Sequence, residues 1–105
     1  MKFIVTDEKN DHGLFRIKSI KNFRTIKEGD LGGFVKSENN LSQEGDAWIT
    51  VNACIAGNAW ITDNARITDN AVISGNAVIS GNACIEDNAR ISGDARITDN
   101  AVISK

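Results

Sequence analysis

Three observations predict an all-β fold in a single domain, a parallel solenoid of triangular section. From Asp46 the chain divides into ten consecutive hexads, DAWITV, NACIAG, NAWITD, NARITD, NAVISG, NAVISG, NACIED, NARISG, DARITD and NAVISK, each with Ala second and Ile fourth. A helix cannot use this period, because six residues advance it by about 600° and throw successive Ile side chains onto opposing faces. A long flat strand fails as well, since Asn, Asp or Gly returns every six residues and would end each strand after about four. What remains is one short strand and one corner per hexad, with three hexads closing a coil.

The segment ahead of the hexads, residues 1–45, is expected to form an N-terminal β-hairpin, cap and entry segment, and residues 46–105 the solenoid proper. KFIVT and LFRIKSI have the alternation of short strands, separated by the turn-rich DEKNDHG. Phe23, Ile26, Leu31 and Phe34 supply apolar cover for the open edge at that end. The linking stretch GDLGGFVKSENNLSQEGDAWI leads into the first hexad.

Within the hexads, Ile points inward from every side. Ala, two residues earlier, shares the inward side by strand alternation and is small because it lies near a corner. The pairs GN and DN make the corners, where Gly, Asn and Asp tolerate the backbone angles required. Three hexads per coil stack residues 18 apart. The inward rows become Ile49, Ile67, Ile85, Ile103; Ile55, Ile73, Ile91; and Ile61, Ile79, Ile97. The outward rows become Trp48, Arg66, Cys84, Val102; Cys54, Val72, Arg90; and Trp60, Val78, Arg96. Cys54 and Cys84 then fall on different sides of the prism, out of reach of one another, and free thiols suit a reducing compartment.

The pattern I-[ST]-[DG]-[ND]-A-x resembles the hexapeptide repeat of the left-handed parallel β-helix superfamily, over residues 46–105 without interruption. That resemblance implies the handedness, which the period alone does not. The stretch Leu31–Trp48, with LGGF, NLS and then GDAW, is similar to the opening of small bacterial and phage hexapeptide-repeat proteins. Many proteins of this fold are acyltransferases, trimers in which a His acts as general base between subunits on an acyl thioester of coenzyme A or a carrier protein. The departure from that pattern is large. The single His, His12, precedes the repeats in a polar turn, and no loop interrupts the hexads.

Composition narrows function further. The net charge is −2, with eight Lys/Arg against seven Asp/Glu in residues 1–45 and four against seven in residues 46–105. Neither half has the basic excess of a nucleic-acid binder. Arg16, Lys18, Lys21, Arg24 and Lys27 do cluster, and read most simply as a solvated strand face. No apolar run approaches the roughly 18 residues of a membrane span, and the start MKFIVTDEKN lacks a signal-peptide pattern, so a cytoplasmic protein is expected. Two Cys without a spaced His or Cys partner make no zinc site. Activation of either thiol would need a base or cation beside it; Arg66, one coil from Cys84, is the nearest candidate. Asp63 and Asp99 share a corner row with Gly81 between them, two coils apart, and form no carboxylate pair. Thr or Ser follows Ile in eight of the ten hexads, but Glu86 and Ala56 interrupt these rows, so β-propensity explains them better than ice binding.

The expected function is therefore a non-enzymatic protein-binding and assembly module, with no catalytic, cofactor or metal residues. The resemblance adds a phage-type role, binding and inhibiting a host protein such as a defence factor. The alternative is a minimal acyltransferase or its regulatory subunit. The candidate interface residues are Trp48, Trp60, Val72, Val78, Ala101, Val102 and Ile103. The two Trp are either interface anchors or covered by the N-terminal segment. A homodimer through Ala101, Val102 and Ile103 of an uncapped last coil is the expected assembly.

Overall fold

The structure, a computed structural model, describes residues 1–104. Each hexad forms a two-residue strand of Ile and the residue before it. In order these are β4 (Trp48–Ile49), β5 (Cys54–Ile55), β6 (Trp60–Ile61), β7 (Arg66–Ile67), β8 (Val72–Ile73), β9 (Val78–Ile79), β10 (Cys84–Ile85), β11 (Arg90–Ile91), β12 (Arg96–Ile97) and β13 (Val102–Ile103). Ahead of them lie β1 (Phe3–Lys9), β2 (Phe15–Ser19), β3 (Leu31–Val35) and a 3-10 turn, Glu38–Asn40.

The strands stack into three parallel sheets, one per side: β4-β7-β10-β13, β6-β9-β12, and a sheet in which β5-β8-β11 is extended by β3, β2 and β1. The register is the 18-residue one throughout the hexads, with Ile49 beside Ile67, Ile67 beside Ile85, and Cys84 beside Arg66. Ile49, Ile55, Ile61, Ile67, Ile73, Ile79 and Ile85 have no exposed surface, and the Ala residues from Ala47 to Ala89 fill the space between them. Each such Ile contributes about 1.5–3 kcal/mol by burial. Ile91, Ile97 and Ile103 of the last coil are only partly covered.

The corners show why the sequence alternates Gly and Asp before Asn. The residue ahead of each Asn or Asp that opens a hexad is left-handed at Gly57, Asp63, Asp69, Gly75, Gly81, Asp87, Gly93 and Asp99. Where Asp takes the position, its carboxylate offsets the cost by accepting from the backbone one coil on: Gly81 N donates to Asp63 Oδ2 at 3.0 Å, and Asp87 N to Asp69 Oδ2 at 3.1 Å. The following Asn side chains form ladders along the axis, such as Asn58 Nδ2 to Asn76 Oδ1 and Asn76 Nδ2 to Asp94 Oδ1.

The coil stack begins earlier than the hexads do. β3 pairs in parallel with β5, Phe34 beside Cys54, and Leu41 bridges Ile61. Both pairs are 20 residues apart, whereas Trp48 and Arg66 are 18 apart. Residues 31–45 thus supply two sides of a first coil, with two extra residues between Leu41 and Asp46, and the sequence boundary at residue 45 falls inside the stack. Of the four residues expected to cover that end, Phe23 is buried and Ile26 packs on the core, but Leu31 is 47% exposed.

At this end three side chains stand in for backbone of a preceding coil. Lys2 Nζ donates to the carbonyls of Gly45 and Ala47 at 3.4 and 2.7 Å. Asn40 Nδ2 makes the same pair of contacts on the next side, to Gly57 O and Ala59 O at 3.4 and 2.7 Å. On the third side Arg16 Nη1 donates to Gly32 O and Val51 O. Buried carbonyls without such donors would each cost about 1–3 kcal/mol. Gln43 ties the start of β1 to the same edge, accepting from Lys2 N and Phe3 N and donating to Phe3 O. Burial pulls the Lys2 ammonium down to about 8, with Lys21 and Arg24 adding to the effect and Asp46 opposing it.

Candidate functional site

The two Trp occupy equivalent hexad positions and have opposite environments. The turn after β2 folds Phe23 edge-on against Trp48, with ring centroids 5.4 Å apart, and Trp48 is 4% exposed. This removes Trp48 from the outward-facing anchors; the covering segment explains it. Trp60 lies on the β6 side, where Asn40 and Leu41 reach the neighbouring backbone at Ala59 and Ile61, and its side chain stays 46% exposed. The register sets Val78 beside it and Arg96 beyond. Trp60, half-buried Val78 and exposed Arg96 therefore form one row along a rigid three-strand sheet.

Val72 sits on a different side, between Cys54 and Arg90, and is half-buried. It lines a recess of about 290 Å³ with His12, Leu14, Cys54, Ala56 and Arg90. Placing His12 beside Cys54 is a juxtaposition that the sequence does not show, because the two are joined only through the β1–β2 hairpin. The thiol is not activated there. Burial pushes Cys54 up, outweighing Arg16, and its hydrogen-bond neighbour is the Asn10 amide at 3.8 Å. Cys84 is also raised, by burial and then by Glu86, whose carboxylate lies 3.6 Å from the sulfur; the pull of Arg66 does not compensate. Both thiols are free.

Ala101, Val102 and Ile103 belong to the last coil. Val102 is 62% exposed, and Ala101 and Ile103 are half-buried. Among the described residues β11, β12 and β13 are edge strands, with ladder groups on their outer side unpaired. Among the same residues no group of three or more His, Cys, Asp or Glu is placed to hold a metal ion, and no helix is long and apolar enough to cross a membrane.

With three stacked sheets and an 18-residue register established, one comparison with known proteins bears on the architecture. A family model described as the YdcK beta solenoid repeat matches residues 89–105. The chain is a β-solenoid repeat protein. No curated protein matches it significantly. The matched residues, hexads eight to ten without Asn88, carry the repeat and none of the contacts peculiar to the N-terminal coil, so the match speaks to scaffold and leaves activity to the surface features above.

Proposed function

We propose that this solenoid is a non-enzymatic protein-binding and assembly module, working in the cytoplasm, whose partner-binding side is the β6 sheet. The observation that carries this is Trp60, an aromatic side chain 46% exposed on a sheet whose backbone is fixed by the coils on either side. Trp and Arg are enriched among the residues that dominate interface energetics: Trp buries a large rigid area at small entropic cost, and the planar fork of Arg makes several directed hydrogen bonds. The row from Trp60 to Arg96 offers both, separated by an apolar Val. The partner that the resemblance to phage hexapeptide-repeat proteins suggests is a host protein, blocked by occupation of its surface. The same reading takes the coils as left-handed, in keeping with the unbroken hexad pattern.

Self-association is the second part of the proposal. Two copies meet about a twofold axis at the last coil, pairing the edges of β11, β12 and β13 and covering Val102. Reactive chemistry has little support here, since both thiols are held protonated and His12 lies outside the repeats. A photo-crosslinking residue at position 78, beside Trp60, tests the binding side in cells. A discrete adduct that disappears with Trp60→Ser is the expected result; adducts indifferent to that change would contradict it.

A further inference from the structure

The β4 side carries a second feature that the protein-binding row does not use. The tip of the turn Phe23–Ile26 stands over the strand ladder and leaves a recess of about 110 Å³, walled by Arg24, Arg66, Thr25, Thr50 and Thr68 with Trp48 among its lining residues. Two arginines and three threonines line it, the Thr68 hydroxyl donating to Ile85 O at 3.4 Å, and no acidic residue is among the lining.

Arg24 is held there at a conformational cost. Phe23 N donates to Ile26 O at 2.9 Å and Ile26 N to Phe23 O at 2.7 Å, which closes a two-residue hairpin loop over Arg24 and Thr25. Arg24 has φ 52 while Thr25 is not left-handed, the φ pattern of a type II′ turn. Gly is strongly preferred at that first loop position. The chain places its largest cation there instead, and a left-handed non-Gly residue at about 1 kcal/mol of strain points to a local demand.

The guanidinium is positioned but not used up. Arg24 Nη2 donates to Asn64 O at 2.9 Å, which pins the side chain across to the next coil. An arginine has five N–H donors, and among the described residues Arg24 meets no other acceptor and no carboxylate; the ion pair there is Arg16 with Glu8. Arg66 is exposed and, among the described residues, forms no salt bridge, although Glu86 and Asp69 act with it on the neighbouring Cys84. Lys2 lies within Coulombic reach of Arg24 and Lys21, which disfavour its charged form, and of Asp46, which opposes them.

We propose that this recess binds a tetrahedral dianionic oxyanion, a phosphate group either free or as a monoester, between the Arg24 and Arg66 guanidinium groups with threonine hydroxyls as further donors. Guanidinium pairs suit this chemistry because their planar forks donate two parallel charge-assisted hydrogen bonds to one phosphate. The recess, about 110 Å³, has room for the phosphate group, and the row continues from Arg66 to Cys84 and Val102, where a monoester's organic part is expected to lie beside the Cys84–Glu86 pair.

Trp48 provides the readout. In Trp60→Phe protein it is the only tryptophan, and its emission is followed during titration with inorganic phosphate, phenyl phosphate and benzoate against sodium chloride at matched ionic strength. Titration calorimetry on the unmodified chain gives the same comparison if that background proves unstable. Saturable binding of phosphate or phenyl phosphate is expected, weakened by about tenfold or more in both Arg24→Gly and Arg66→Gln. Preference for phenyl phosphate assigns the monoester, and preference for inorganic phosphate assigns the free ion. Arg24→Gly relieves the turn, so its melting temperature is expected to hold or rise while binding is lost, which a purely structural arginine would not do. Non-saturable change, equal effects of chloride or benzoate, or binding that survives both substitutions would overturn the proposal.

Discussion

Ile67→Ala tests the packing argument at its centre. Ile67 has no exposed surface and is stacked between Ile49 and Ile85, with Ala65 beside it at the corner. The substitution removes three carbon atoms, worth about 2.4 kcal/mol at roughly 0.8 kcal/mol per methylene. Coils on both sides are locked by ladder hydrogen bonds, Thr50 N to Ile67 O at 2.8 Å and Thr68 N to Ile85 O at 2.8 Å, so the gap cannot close. The residual cavity raises the expected loss to about 3–4 kcal/mol. Ile97→Ala deletes the same atoms in the partly covered last coil and is expected to cost about half as much. Urea denaturation followed by circular dichroism gives both values from one experiment. A loss below about 1 kcal/mol for Ile67→Ala, or an equal loss at Ile97, would refute the claim that the axial Ile stack holds the coils together.

Two further outcomes follow from the corners and from the N-terminal coil. At Gly75, φ is +69 and an added Cβ would lie 2.7 Å from Gly93 N, so Gly75→Ala is expected to destabilise by about 1–3 kcal/mol. Gly75→Asp is expected to cost less than Gly75→Ala in the same denaturation assay, because its carboxylate can accept from Gly93 N as Asp69 accepts from Asp87. Lys2 is held at about 8, below its ordinary 10.5, so the unfolded chain binds the extra proton between those values and folding gains stability as pH rises through that window. The stability of the natural chain relative to Lys2→Met is therefore expected to increase from pH 8 to 10.5, measured as the difference between paired denaturation curves.

Much of the solenoid was legible because the hexad encodes it locally. Ile four residues into each unit and Gly or Asp before Asn specify an inward side chain and a left-handed corner without reference to anything distant. The first coil was not legible, since its two additional residues shift LGGFV and NLS out of the 18-residue register and its corners lack the repeated pair. Lys2, Asn40 and Arg16 were equally hidden: each donates from a side chain to carbonyls at the edge of the coil stack, a role that no local pattern records. The tryptophans show the same limit. DAWITV and NAWITD look alike, and what separates buried Trp48 from exposed Trp60 is a docked Phe23 far away in sequence. The recess at Arg24 has a sequence trace only in the cluster Arg16–Lys27, which reads as a solvated face until the turn places one of its cations over the solenoid.

The proposed self-association through the last coil is open to a direct check by absolute mass in solution, measured by light scattering after size exclusion across a concentration series. A dimer is expected, which Val102→Asp converts to monomer while the circular dichroism spectrum is unchanged. A monomer at every concentration would contradict the assembly, and a trimer would contradict the twofold edge pairing and favour the threefold arrangement of an acyltransferase.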